Sequence, residues 1–214
     1  VKKRKKIPIF VGGTGLYFKA LTDGLVNIPN IPIQFRNKVR ALHKNLGQKK
    51  FYQKLLKLDP KSKDKINLTD TQRSIRAYEV KQFTKRSIHD WFKNTKSYFD
   101  KVDFFKIYID FPRVDLIQKI SKRTDQMFKI GVIHEVKRFI KLKVRKDKSV
   151  NKAIGINEIK EHLKYKNDLR QVREKISIKT RQYAKRQSTW ARGNMMSWLK
   201  LPPQDINKFL KKIK

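Results

Sequence analysis

The sequence predicts an α/β core interrupted by an all-helical insertion. Three observations carry that class. Ile7-Pro8-Ile9-Phe10-Val11 is a short apolar run of buried-strand type, followed by the turn Gly12-Gly13-Thr14-Gly15 and the helical stretch Leu16–Leu21. Phe104–Phe111, FFKIYIDF, is a second strand-like run, followed by Pro112 and a helical period. Between them, from Pro32 to about Tyr98, the Lys-rich chain shows helical patterning only. Residues 1–26 with 101–214 are therefore expected to form the α/β core and its C-terminal helices, and 27–100 the helical insertion.

Each element has its own signal. Gly24 should stop the first helix, and Asn27–Pro32, with two prolines, reads as a linker. Helix then runs over Ile33–Leu58 with an interruption near Gly47, and Asp59-Pro60 breaks it. A helix over Asp70–Phe83 has Ile75, Tyr78, Val80 and Phe83 as apolar positions, and Ser87–Phe92 adds a short helical turn. Pro112 suits the first position of a helix that reaches Ile130, buries Leu116, Ile117, Ile120, Met127 and Phe128, and ends at Gly131. Val132–Leu142 is the next helix, and another leads from Ala153-Ile154-Gly155 toward Leu163. A long helix over Asp168–Arg192 follows, with Leu169, Val172, Ile176, Tyr183 and Trp190 on one face and Arg170, Arg173, Arg181, Lys185 and Arg192 on another. Trp198–Pro202 reads as extended, ahead of a Lys-rich tail. A strand at Ile7–Val11 has no neighbour in the preceding sequence, so a parallel sheet needs partners from elsewhere. The chain opens on Val1, not Met, and is expected to lack an N-terminal part.

Composition narrows the partners. With 55 basic and 18 acidic residues the formal net charge is +37, which attracts polyanions. Nucleic acid leads as partner class. An anionic membrane surface competes, but no segment is apolar for long enough to span a bilayer and no signal peptide opens the chain, so a cytoplasmic protein is expected. Of the basic residues 40 are Lys and 15 Arg, and the Arg positions are the more informative. Absence of Cys excludes disulfides, thiolate metal sites and a Cys nucleophile. His43, His89, His134 and His162 show no metal-ligand spacing.

Three constellations could carry chemistry. In Gly12-Gly13-Thr14-Gly15 the glycines allow backbone N–H groups to approach an anion, and Thr14 adds a hydroxyl, which suits a phosphate or diphosphate; such a turn is also a common plain connection. Arg123 offers a planar, permanently charged fork, although an isolated helical Arg is usually a surface residue. Gln72-Arg73-Ser74-Ile75-Arg76 sets two guanidiniums three residues apart on one face, with an amide and a hydroxyl able to read base edges or sugars. Asp110 is the one carboxylate considered for a site, with a solvent-facing or capping role as the plainer reading. No G-x-x-x-x-G-K-[ST] loop occurs.

Taken in order, VGGTGLYFKALTDGL (Val11–Leu25), TDTQRSIRAYEV (Thr69–Val80), RTDQM (Arg123–Met127), AIGINE (Ala153–Glu158) and TRQYAKRQSTWAR (Thr180–Arg192) resemble the blocks of bacterial tRNA dimethylallyltransferases, the IPP transferase family. The resemblance implies a partial P-loop-kinase-like α/β core, its N-terminal phosphate-loop part missing, with an all-helical insertion. It implies transfer of a dimethylallyl group from dimethylallyl diphosphate to N6 of the adenosine just 3′ of the tRNA anticodon, assisted by Mg²⁺, on a base flipped into a channel. By the same resemblance Thr14 and Arg123 are catalytic, and Gly12, Gly13, Thr14 and Arg123 hold the diphosphate. Arg36, Gln72, Arg73, Ser74, Ile75 and Arg76 match tRNA-contacting positions in and beside the insertion. Lys152, Ala153, Ile154, Gly155, Ile156 and Asn157 match a second tRNA-contacting segment, and Arg181, Lys185, Arg186, Gln187, Thr189 and Arg192 a third. Trp190 is expected to pack in the core. Partners are then tRNA, through its anticodon stem-loop, and dimethylallyl diphosphate, with no membrane; a monomer is expected.

Departures accompany the resemblance. Thr71 stands where the family usually has Pro, and Ile156-Asn157 replaces a Tyr-Lys or Tyr-Arg pair. The family's phosphate loop and general-base Asp would precede Val11 and are absent here, so an incomplete, inactive fragment that binds tRNA weakly is expected. The alternative is a non-catalytic tRNA-binding module on a decayed transferase scaffold.

Overall fold

The structure, a computed structural model, describes residues 2–4, 6–100 and 103–212. The chain divides into two compact units, Leu16–Phe104 and Val1–Gly15 with Phe105–Lys214. The expected divisions lay at residues 26 and 100; these fall at 15 and 104.

The Leu16–Phe104 unit is helical. Helix α1 spans Gly15–Thr22, α2 Ile33–Leu58, α3 Thr71–Thr84 and α4 Ile88–Lys93. Pro32 precedes α2, and inside α2 Gly47 adopts φ 71°, ψ 165°, a left-handed φ that permits a kink without a Cβ penalty. Asp70 caps α3 by accepting the Arg73 N–H, and Ser87 caps α4 by accepting the His89 N–H. The core gathers Phe51, Leu55, Ala77 and Val80, none of them solvent-exposed, with Val39, Ile66, Tyr78 and Ile88 around them. Phe51 lies 5.0 Å, ring centre to ring centre, from both Tyr78 and His43. A buried polar knot ties the helix joins: Asp59 Oδ2 accepts from Ser87 Oγ at 2.8 Å and from Ser62 Oγ at 3.4 Å, and Ser62 Oγ lies 3.2 Å from His89 Nε2. Burial and the Lys65 ammonium lower the His89 pKa, which favours the neutral ring.

In the other unit strand β1, Ile107–Ile109, pairs in parallel with β2, Leu199–Leu201, Ile107 facing Leu199. Helices α5 (Arg113–Lys129), α6 (Val132–Lys141), α7 (Ile156–Tyr165), α8 (Leu169–Asn194) and α9 (Ile206–Lys212) complete it. Val132, Val136, Ile159, Val172 and Ile176 form the core, with Met127 and Phe128 packed against them. The described residues thus form a mainly helical chain with a two-stranded parallel sheet.

Five expectations are corrected. Ile7–Val11 is not a strand: Ile7, Ile9, Phe10 and Val11 are 61–91% exposed, because no described strand pairs with the segment and Pro8 lacks a ladder N–H. The Phe104–Phe111 run contributes only Ile107–Ile109 to the sheet, the length over which β2 can pair with it. Pro112, at ψ 133°, precedes the first helical residue and is not itself helical. On α8 the apolar stripe is buried at Val172 and Ile176 but not at Leu169 or Tyr183; beyond Thr180 the protected positions are Ala184, Gln187, Ser188, Trp190 and Ala191. The Lys-rich tail also forms a helix, α9, where none was expected.

Phe51→Ala should destabilise the helical unit by about 3–5 kcal/mol, the range for truncating a fully buried aromatic. Urea unfolding followed by helical circular dichroism measures it, and a loss under about 1 kcal/mol would show that the site collapses around the vacancy.

Candidate functional site

The glycine corner is set by a helix that follows it by most of the chain. Gln187 Nε2 on α8 donates to the Gly13 carbonyl at 2.9 Å. A Cβ on Gly13 would stand 2.1 Å from that nitrogen, and one on Gly15 would stand 2.2 Å from Trp190 Cε3. The indole ring of Trp190 therefore requires glycine at Gly15, whereas a Cβ at Gly13 would displace the end of Gln187 and its bond to the corner. Seated in this way, the corner leaves Gly12, Gly13 and Thr14 exposed, and the Thr14 hydroxyl makes no hydrogen bond among the described residues. Gln187, expected on the RNA-facing side, instead spends an amide hydrogen on the corner. Trp190 covers Gly15, in line with a packing role.

Arg123 stands on α5 beside Thr124, which is buried and turns its hydroxyl back to the Ile120 carbonyl at 2.9 Å. That inward neighbour leaves Arg123 exposed, and no acid pairs with it among the described residues. A free guanidinium fork is thus available to an anion. No hydrogen bond or ion pair among the described residues links Arg123 to Thr14.

The outer face of α8 carries Arg181, Lys185, Arg186, Thr189 and Arg192, all exposed. At about 100° per residue, Arg181, Lys185 and Arg192 lie roughly opposite Gln187 and Trp190, so the face that seats the corner is not the face that presents charge. Arg186 lies over the Tyr183 ring at 5.7 Å.

The segment before α7 is held by one carboxylate. Gly155, at φ 104°, donates its N–H to Glu158 Oε2 at 2.8 Å, and Lys179 Nζ on α8 donates to Glu158 Oε1. Burial works to raise the Glu158 pKa, but the bonds from Lys179 and from the Gly155 and Glu158 N–H groups outweigh it, and the carboxyl titrates below its ordinary value. Its bond to Glu158 raises the Lys179 pKa in turn. Of the expected tRNA-contacting residues here, Lys152, Ala153 and Asn157 are exposed. Ile154 and Ile156 pack on the core and Gly155 is buried, because the positive-φ turn draws them inward.

On α3, Gln72 and Arg73 are exposed, and Arg73 Nη1 lies 2.6 Å from Asp70 Oδ2. Ser74 is fully buried and accepts from Gln48 Nε2 at 3.3 Å, and Ile75 packs against the core, so neither presents itself to a partner as expected. Arg36 and Arg76 converge on Glu79, which is 2% exposed. Sequence reasoning passed over Glu79 and Glu158. Their signal was the spacing: a lone acid three residues after Arg76, and three after Gly155.

Asp110 is exposed, its backbone N–H bonded to the Leu201 carbonyl. Among the described residues no three His, Asp or Glu side chains gather into a group able to hold a metal ion, so they do not fit a protein-built Mg²⁺ cage. No helix among them is long and apolar enough to cross a membrane.

Two variants test these arrangements. Glu158→Gln should cost about 1–3 kcal/mol at neutral pH, as for a buried charged hydrogen bond lost. Because the folded carboxyl sits below its ordinary 4.5, its stabilisation is complete above that value and fades as pH falls through the depressed one. Chemical denaturation across the acid range should therefore show a shallower loss for the variant; parallel curves would refute the role. Gly15→Ala should displace the Trp190 indole, read as a shift of its ring N–H resonance, and an unmoved resonance would contradict the close approach.

Comparison with known proteins places the chain. A family model described as IPP transferase matches residues 1–194. A tRNA dimethylallyltransferase of Pelagibacter ubique (strain HTCC1062) is 58% identical over all 214 residues, which span 68% of that protein. The crystal structure of the full-length tRNA isopentenylpyrophosphate transferase of Bacillus halodurans superposes with a TM-score of 0.59 at 28% identity, over 99% of this chain and 66% of that one. A eukaryotic dimethylallyltransferase, crystallised acting on tRNA, gives a TM-score of 0.74 at 24% identity, over 99% of this chain and 56% of that one, a likeness of fold. The chain thus spans between about half and two-thirds of the length of these proteins. With the family model matched over most of its length and a relative at 58% identity, the chain belongs to the IPP transferase family.

Proposed function

We propose that this chain acts in tRNA prenylation, the transfer of a dimethylallyl group from dimethylallyl diphosphate to N6 of the adenosine just 3′ of the anticodon. The scaffold in this reading is a P-loop-kinase-like α/β core with a helical insertion, working in the cytoplasm. The observation that carries it is α8. One side seats the Gly12–Thr14 corner through Gln187 and Trp190, while the other presents Arg181, Lys185 and Arg192 unpaired.

In the reaction the N6 lone pair forms a bond to the allylic carbon, the carbon–oxygen bond to the diphosphate breaks, and N6 gives up a proton. The departing diphosphate gains negative charge. A preorganised cation and hydrogen-bond donors lower the barrier by meeting that charge. Arg123 brings a guanidinium without a competing acid, and the corner brings the Thr14 hydroxyl and glycine N–H groups that a ligand can approach. Mg²⁺ would accompany the diphosphate as its counter-ion. Gln72, Arg73, Arg76 and the outer residues of α8 hold the RNA backbone.

Two substitutions separate the roles. Arg73→Ala should weaken binding of an unmodified anticodon stem-loop and reduce the salt slope by about one phosphate contact, whereas Arg123→Ala should leave RNA affinity nearly intact and weaken binding of dimethylallyl diphosphate. Equal losses of RNA affinity alone, or no preference for the stem-loop over a scrambled hairpin, would overturn the assignment. RNA binding with no diphosphate binding in the unsubstituted chain would favour the non-catalytic tRNA-binding module.

A further inference from the structure

Arg36 on α2 and Arg76 on α3 meet on a single oxygen, Glu79 Oε2: Arg36 Nε lies 3.6 Å from it and Arg76 Nη1 3.4 Å. The carboxylate side chain is 2% exposed, and the two guanidinium side chains are 38% and 40% exposed. Both arginines line a cleft of about 390 Å³ with Asn27, Pro29 and Asn30 of the linker. Two positive charges share one negative charge there, which leaves one unit of positive charge facing the cleft. Arg36 Nε is shielded from solvent and has no hydrogen-bond partner, since 3.6 Å is beyond bonding distance. Two neighbouring guanidiniums with one counter-charge, each partly exposed, make a site that a second anion would complete.

We propose that Glu79 is a positioning residue, whose buried carboxylate presets Arg36 and Arg76 as a two-guanidinium clamp for one backbone phosphate of the bound RNA. The inference rests on the RNA-binding reading above and goes beyond it by giving a buried acid a part in binding a polyanion. A phosphodiester suits the clamp because each fork keeps N–H groups on its exposed edge while Glu79 fixes its inner edge. The carboxylate itself does not touch the ligand.

Charge alone and positioning predict opposite signs, which makes the test sharp. Glu79→Gln keeps the size and removes one negative charge. If only net charge mattered, it would bind RNA more tightly. With a positioning role, affinity of the 214-residue chain for the anticodon stem-loop should fall about tenfold, the scale of a lost charge-assisted contact. The slope of log affinity against log salt should shrink by roughly 0.7, the value for one phosphate contact on single-stranded RNA. Unchanged or tighter binding with an unchanged slope overturns the clamp. Should Glu79→Gln lose its helical circular dichroism, Arg76→Lys serves instead: it keeps the charge and loses the fork, so it should reproduce the loss, and wild-type affinity overturns the proposal. An unsubstituted chain that binds no RNA overturns both the clamp and the function it rests on, whereas wild-type RNA binding with a silent Glu79→Gln removes the clamp alone.

Discussion

Eighteen carboxylates must order 55 cations in this chain, so the place of each buried acid decides which basic side chains are fixed and which stay free. Asp59, Glu79 and Glu158 are each at most 5% exposed. Asp59 spends its acceptor on two serines and knots the joins between helices. Glu158 binds a backbone N–H and Lys179, and so ties the turn before α7 to α8. Glu79 meets two arginines from different helices. Among the described residues Arg123, Arg181, Lys185 and Arg192 pair with no acid and remain open to an external anion.

The second constraint is steric. Helix α8 approaches the backbone at Gly13 and Gly15 so closely that a methyl group at either position would overlap a side chain. This explains why the second half of α8 protects Ala184, Ser188 and Ala191 where an ordinary amphipathic helix would bury large apolar residues. Small side chains let the helix lie near the corner, and the two larger ones there, Gln187 and Trp190, occupy the space above the glycines.

Much of this was legible in the chain. The break at Gly47, the stop at Asp59-Pro60, the start of α3 near Asp70 and the helices on either side of Gly131 follow from residue types whose backbone preferences act locally. What escaped was set by distant contacts. Pro8 and the lack of a preceding strand weaken the claim of Ile7–Val11 to a sheet, but whether the run is paired depends on residues far away in sequence. Gln187 is a polar residue on a basic helix, and only the position of Gly13 makes it an inward donor. Ser74 carries the chemistry of a contact residue, yet a one-position rotation around α3 from Arg73 turns it into the core. Of the candidate site, the residue types and their order could be read, while the division between inward and outward side chains could not.

Gly47 shows how one atom's absence lets a helix serve two masters. Nothing lies within 4 Å of where its Cβ would stand, so the demand for glycine is purely torsional, a φ of 71°. Before this joint α2 carries Arg36, and after it Phe51 and Leu55, which anchor the apolar interior. Gln48, just past the joint, reaches Ser74 and shares a hydrogen bond with His43 across the bend. A straight rod would bind the aim of the guanidinium to the seating of the aromatic ring. The kink lets the two segments take different directions, while Val39 and His43 still tie the guanidinium-bearing half to the same interior.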